Sequence, residues 1–376
     1  MSKLIHRTIF EAPNKVSVNL PLSDELRVYH PQGTFPLVED PKTTKRASIV
    51  GMFVLRPTKK GWTQPILQDQ HPSFYDVAGW GFNVKGADGG WLIANGNVVD
   101  AYRLALQYGV SDAVMVGSTT VAKEGTPHGK NPGYLWQPYG PTSWGHLHAQ
   151  DPDLLVKIMR QRGQWQAEGY LSDRKYPAQI VITQSGKEST PDILDARIFH
   201  EKHPDGQPIE AYILTSKTGA ERIRSRAMKF GLEARMDDIL IVLSPDGQDD
   251  VVDLKRVPQV LYDDYEMRIV NHDGGQTILS EFARAGVLPQ INLTLARGNP
   301  IYEVLQSYEL KYAPMPMTEE TRKEILASFE ERVQYFFPNS DLKIPKEMVP
   351  VQILTDSSQD VAVVTFDTRA LAGKGL

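Results

Sequence analysis

Cysteine is absent from this 376-residue chain. That removes disulfides, thiolate nucleophiles and Cys-ligated zinc in one step. No apolar run reaches the ~20 residues that a membrane helix needs. The opening residues, MSKLIHRTIFEAPNKVSVNL, lack the apolar segment and cleavage site of a secretion signal, so a cytoplasmic location is expected. An excess of either charge is also lacking: 41 Lys and Arg stand against 46 Asp and Glu, for a formal net charge of -5. Such a balance offers no basic stripe for nucleic acid and no polybasic membrane anchor. Three familiar motifs are missing as well. No G-x-G-x-x-G follows the first strand pattern, no G-x-x-x-x-G-K-[ST] occurs, and no H-E-x-x-H helix offers a metal site. No internal repeat or low-complexity tract breaks the chain.

What is present reads as an α/β protein. The first 45 residues are polar and Pro-rich, and are expected to form an irregular arm around a domain of residues 46–376. ASIVGMFVL (47–55) is an apolar run of strand formers. GNVVDAYRLALQYGV has the apolar spacing of a helix, and DAVMVGS follows as a short buried strand. Strand and helix patterns then alternate from PAQIVITQS (177–185) to INLTLA (291–296). That alternation predicts a mostly parallel central sheet with flanking helices. The final stretch, VPVQILTDSSQDVAVVTFDTR, holds two strand runs around Asp356-Ser357-Ser358, and predicts a C-terminal antiparallel hairpin. The count is about eight strands with four or five helices. Two segments interrupt the rhythm and are expected to be insertions, at about 125–176 and 300–345.

Two corners have the composition of a phosphate site. In IVNHDGGQTILSEF, Gly274 and Gly275 separate a strand pattern from a helix pattern, with Thr277 in the first turn. A helix N-terminus presents unpaired N–H groups and partial positive charge to an anion. Glycine lets a ligand approach the backbone closely, and Thr277 can cap the helix or donate to phosphate. The same residues would also build a plain capped turn. In DAVMVGSTTVAKEG a second strand ends at Gly117, followed by Ser118, Thr119 and Thr120. Ligands of open α/β sheets bind at the carboxyl ends of strands, so the two corners could face one extended ligand.

The order of these stretches resembles the reductase family of riboflavin biosynthesis, whose dihydrofolate-reductase-like domain also forms the C-terminal half of a bifunctional deaminase-reductase. Four stretches carry the resemblance: GGWLIANGNVVDAYRLAL, SDAVMVGSTTVAKEG, LDARIF (194–199) and DGGQTILSEFARAGVLPQINLTLA. It covers roughly residues 47–124 and 177–300, plus the final hairpin. The resemblance implies a dihydrofolate-reductase-like fold and NADPH lying across the strand ends. It places Trp91, Gly117, Ser118, Thr120 and Glu124 at the cofactor, and Gly274, Gly275, Gln276, Thr277 and Ile278 around its pyrophosphate. Thr183, Ser185, Thr215 and Ser216 would meet the adenosine side, with Lys187 or Lys217 near a 2′-phosphate; ordinary polar loop roles are the alternative for these six. Asp273, Lys59 and Arg103 would face substrate. No catalytic residue and no metal is implied. The reaction would be hydride transfer from NADPH to the opened ribose of an aminopyrimidine phosphate, and a homodimer is expected. The deaminase half, which needs a Pro-Cys-x-x-Cys zinc site, is absent.

The substrate side departs from the family pattern at Pro57, Ile93 and Ala105, where an Asp, a Ser and a basic residue are usual. Two readings beside the riboflavin-type reductase therefore stay open: a reductase for a different carbonyl or imine, and a nucleotide-binding regulatory protein of the same fold. The insertion aromatics Tyr134, Trp136, Tyr139, Trp144 and Trp165 are expected to pack a flap in preference to stacking on a ligand ring. The pairs His146 and His148, and His200 and His203, lack the company of a metal site. ERIRSRAMK reads as a solvated helix face.

Overall fold

The computed structural model describes residues 7–11, 16–26, 34–55, 105–124, 152–203, 205–273, 276–296, 349–355 and 361–374. Ten of the twelve strands among them form one sheet. In chain order the strands are β1 (Arg7–Glu11), β2 (Val18–Pro21), β3 (Thr34–Leu37), β4 (Ser48–Leu55), β5 (Ala113–Gly117), β6 (Ala178–Ile182), β7 (Ala211–Thr215), β8 (Leu240–Val242), β9 (Ile269–His272), β10 (Gln290–Ala296), β11 (Val349–Thr355) and β12 (Val361–Asp367). The helices are α1 (Pro41–Thr44), α2 (Ser118–Glu124), α3 (Leu154–Ala167), α4 (Lys217–Ala227), α5 (Met236–Ile239), α6 (Val257–Asp263) and α7 (Gln276–Arg284). Residues 105–109 are helical as well.

The spatial order is β1-β11-β12-β10-β4-β9-β5-β6-β7-β8. From β10 to β8 every neighbour pair is parallel. The hairpin β11–β12 and then β1 extend it in antiparallel fashion. The mostly parallel sheet, flanking helices and terminal hairpin are thus those expected from the pattern. Strands covered on both faces read as continuous apolar runs, and all five residues of β5 and of β6 are buried. Side chains alternate between the faces. Val50, Val114, Val116, Val181 and Ile213 join the core under residues 105–109, α2, α3 and α4. Ile49, Ala113, Met115, Ile180 and Val270 join the core under α6 and α7.

Two expectations are corrected. The first 45 residues are not wholly irregular: β1 pairs with β11 at the sheet edge, and β2 with β3 forms a separate antiparallel pair. These partners are distant or short, so alternation in the sequence is too brief to announce them. The strand count accordingly exceeds the expected eight. Helix α4 begins at Lys217, with Ser216 as its cap.

Helix α3, inside the expected 125–176 insertion, is where the arm docks. Trp165 is fully buried. Its ring meets Phe35 at 5.8 Å between centroids, and its Nε1 donates to Pro21 O at 2.8 Å. Gln161 accepts from Ser23 N and donates to Pro21 O. Packing, not ligand stacking, is therefore what Trp165 does; the other four insertion aromatics lie outside the described residues. At the amino ends of the strands Asp112 is fully buried and accepts from Ser172 N, Ser172 Oγ and Arg268 N at 2.7–2.9 Å. A carboxylate held by three such donors ties the insertion to the loop before β9.

Trp165→Ala is expected to cost about 3–5 kcal/mol in chemical denaturation. Hydrogen exchange should show its largest rise in residues 18–37, the pair that loses its docking surface.

Candidate functional site

Strand β9 lies between β4 and β5, although the chain makes β5 before it. After β5 the chain moves outward through β6, β7 and β8. After β9 it turns the other way, crossing β4 to reach β10. Right-handed crossovers in opposite directions must use opposite faces of the sheet. The packing obeys this: Val121 and Ala122 of α2 lie in one core, and Leu279, Phe282 and Ala283 of α7 lie in the other. The carboxyl ends of β5 and β9 therefore open a crevice at a topological switch point, the usual place for a ligand in an open α/β sheet. Helix α2 starts there straight after Gly117, and helix α7 starts there at Gln276.

Helix α7 adjoins both strand ends. A Cβ on Gly117 would come within 2.8 Å of Ile278 Cδ1, and one on Gly51 within 3.0 Å of Leu279 Cδ2. Glycine at these two points lets α7 settle on the ends of β5 and β4. The structure thus gives Gly117 a packing partner in Ile278. Helix α7 stops at Gly286, whose φ of 75° suits glycine. Gly286 N donates to Ala283 O, and Val287 N to Phe282 O. At the other end of α7 Thr277 is exposed and Ile278 half-buried. Across the crevice Ser118 and Thr120 are half-buried and Thr119 exposed, in the first turn of α2. Glu124 ends that helix. The helical start straight after Gly117 was not foreseen; a run of Ser-Thr-Thr reads as loop when caps are ambiguous.

Asp273 follows β9 and keeps its ladder, donating its N–H to Met115 O at 2.8 Å. The hydroxyl of the fully buried Tyr108 donates to Asp273 Oδ2. Tyr108 escaped the sequence reading because an aromatic on an apolar helix face looks like core. Beside Asp273, His272 is fully buried with both ring nitrogens unpartnered. It packs edge-on against Phe282 at 4.7 Å. Burial lowers its pKa to about 3. Asn271 Nδ2 and both amide atoms of Gln107 are also buried without partners. Unpaired polar groups of this kind are rare in folded proteins and collect where function sets the sequence.

The hydroxyls expected on the adenosine side have other work. Ser216 Oγ caps α4, accepting from Gly219 N at 3.0 Å and donating to Gln184 O at 2.8 Å. Thr215 Oγ1 lies 3.5 Å from Gln184 O. Both residues are fully buried. The loop after β6 fills the N-terminus of α4: a Cβ on Gly186 would stand 2.3 Å from Gly219 O. Thr215 and Ser216 are thus bonded within the protein at that helix end. Thr183 Oγ1 accepts from Gly186 N and Ser185 Oγ from Lys187 N, which shapes the same loop. Both are half-buried. Lys217 pairs with Asp249 at 2.9 Å, while Lys187 is exposed. His200 Nε2 bonds Leu194 O, and His203 stacks on Tyr176 at 4.0 Å. Arg222 and Arg224 face solvent from α4. Trp91, Lys59, Arg103, Gly274 and Gly275 lie outside the described residues, as do Pro57, Ile93, His146 and His148. Ala105 is buried in the core. Among the described residues no group of three or more acidic, His or Cys side chains could hold a metal ion. Among them, too, no helix is long and apolar enough to cross a membrane.

No protein-family model matches the sequence, and no curated protein matches it. Solved structures of riboflavin-biosynthesis reductases are similar over most of the chain at low identity. A pyrimidine reductase-like protein from Corynebacterium diphtheriae shares 14% identity over 88% of this chain and 94% of its own, with a TM-score of 0.45. RibD from Acinetobacter baumannii shares 12% over 87% of this chain and 59% of its own, at 0.40. The riboflavin biosynthesis reductase Rib7 of Saccharomyces cerevisiae shares 10% over 86% and 90%, at 0.36.

His272 gives the site a pH signature. Its folded pKa lies below the unfolded value of 6.5, so between about pH 6.5 and 3 the unfolded chain binds a proton that the folded chain refuses. Stability contributed by the neutral ring is complete above that window and falls as pH drops through it, by up to about 1.4 kcal/mol per pH unit. In urea denaturation from pH 7 to 4, His272→Leu should flatten the decline and raise stability at pH 7 by about 1 kcal/mol.

Proposed function

We propose that this chain is an NADPH-dependent reductase whose cofactor lies across the carboxyl ends of β5 and β9. The observation that carries the reading is the approach of the first turn of α7, where Thr277 is exposed, to the strand end at Gly117 and the hydroxyls of α2 at the switch point. The residues fit the group. The α7 N-terminus with Thr277 would meet the diphosphate, and Ser118, Thr119 and Thr120 offer hydroxyl donors opposite. Bound there, the reduced nicotinamide supplies a hydride.

The chain's own part is alignment and exclusion of water. The ladder bond from Asp273 N to Met115 O fixes the end of β9, and the burial of Gly117 and Ala122 closes the floor of the crevice. Holding two reacting groups at such a rigid edge converts a bimolecular encounter into an oriented one. The substrate class that fits the resemblance is a ribosylaminopyrimidine phosphate or a related heterocyclic carbonyl or imine. Asp273 belongs to its side of the crevice, with Lys59 and Arg103 beside it in this reading. A homodimer belongs to the same reading. The buried Ala105, where the family pattern has a basic residue, favours a second reading: a nucleotide-binding regulatory protein that has lost turnover.

Titration with NADPH and NADH, followed by cofactor fluorescence, tests the proposal. Binding with a preference for NADPH supports it, and absence of binding by either overturns it. Oxidation of bound NADPH on addition of a ribosylaminopyrimidine phosphate separates reductase from regulator. Thr277→Asp should weaken NADPH at least tenfold, about 1.4 kcal/mol. The same change leaves thermal stability equal or higher, because an acidic residue in a first helical turn is favoured by the helix dipole.

A further inference from the structure

We infer that helix α7 is an acid-released cover: it lies on β4 and β9 while the ring of His272 is neutral, and lifts from them when the ring takes a proton. Lifting carries the first turn of α7 away from the crevice. In the reductase reading, on which this use of the switch rests, only the seated helix holds the cofactor. The release itself rests on the geometry beneath the helix.

Gly51, His272 and Met115 stand side by side on three neighbouring strands, since Gly51 and Met115 are the register partners of His272. Alternation from Ile49 and Val270 turns Gly51 and His272 to the face of Met115, the face that Leu279, Phe282 and Ala283 of α7 cover. Leu279 rests on the Gly51 position, its Cδ2 3.0 Å from where a Cβ would stand, and Phe282 meets the imidazole edge-on at 4.7 Å. Beneath them His272 is fully buried, and neither ring nitrogen has a hydrogen-bond partner. A neutral imidazole brings one donor and one acceptor. Both are stranded while α7 is down, and both reach water when it lifts. Burying unpaired groups is costly, so the seated helix is opposed from below even at neutral pH.

A charged ring opposes it far more. Among the described residues no charge is placed to receive that ring. Strands β4 and β5 present Gly51 and Met115, α7 presents Leu279 and Phe282, and burial is the cause that lowers the ring's pKa to about 3. Asp273 lies on the opposite face of the strand by alternation. Glu281 and Arg284 of α7 are exposed and paired with each other. The far end of the helix is tied down, with Gly373 N donating to Arg284 O at 2.7 Å, so release begins at the first turn. Once lifted, the ring regains its ordinary pKa of 6.5. The ratio of lifted to seated helix then rises about thirtyfold from pH 7.5 to pH 5.

Hydrogen exchange on the full chain at these two pH values, corrected for intrinsic rates, reads the release. Amides of α7 should be less protected than those of β6 at both, and should lose about thirtyfold in protection on acidification. In His272→Leu they should lose less than threefold. His272→Met, an adaptable apolar replacement, takes its place if the leucine variant does not fold. Amides of α7 as slow as those of β6 would show that the helix opens only with the whole fold. Equal losses in the unsubstituted chain and the variant would show that another group is titrated. Either result overturns the inference. NADPH at about a hundred times its dissociation constant should raise α7 protection at pH 5 by up to about a hundredfold. Bound NADPH that leaves that protection unchanged also overturns the inference. A chain that binds no NADPH sinks the reductase reading alone, since exchange without cofactor still reads the release.

Discussion

The fold turns on how closely helix α7 can lie against the sheet. Its apolar side, Leu279, Phe282 and Ala283, covers the strand ends at β4, β9 and β5. Gly51 and Gly117 supply the room, since any side chain there would meet Leu279 or Ile278. With α7 down, its first turn stands level with the end of β5 and with the hydroxyls of α2. A methyl group at either glycine would push the helix off the strand ends. The packing of an interior is tight enough that such a shift is felt.

The same seat explains the unpartnered imidazole. His272 projects beneath α7, where Phe282 seals it from water and offers a ring edge in place of a hydrogen-bond partner. The chain tolerates a polar group at a loss of stability in the strand that also delivers Asp273. Meanwhile Asp112, at the opposite end of β5, is supplied with donors from two segments. At the amino end of β5 a buried carboxylate is thus supplied with donors, while at the carboxyl end of β9 the buried imidazole has none.

Much of this was legible in the residues. Continuous apolar runs such as AVMVG announced buried parallel strands, and the Asp-Ser-Ser break between two strand runs announced the final hairpin. Gly-Gly before a helical pattern marked one corner, and Gly117 with three hydroxyls marked the other. Sequence could not say that a hydroxyl after a strand, as at Ser216, caps a helix, because capping and ligand binding ask for the same donor and acceptor. Nor could it reveal Tyr108, whose only sign was an aromatic at core spacing. The arm was misread for a different reason. Its strands gain their hydrogen bonds from β11 or from each other across a loop, and its anchoring comes from Trp165 and Gln161 far along the chain. Non-local pairing leaves little local trace.

The pairing of β1 with β11 has a consequence for biosynthesis. Arg7 lies opposite Thr355, so β1 finds its partner only after the 348 residues that separate the two (355 − 7) have been made. At ordinary elongation rates of ~5–20 residues per second the wait is roughly 20–70 s. Throughout it an unclaimed strand edge is open to wrong partners. While nascent, β1 is therefore a strand with need of a holding chaperone.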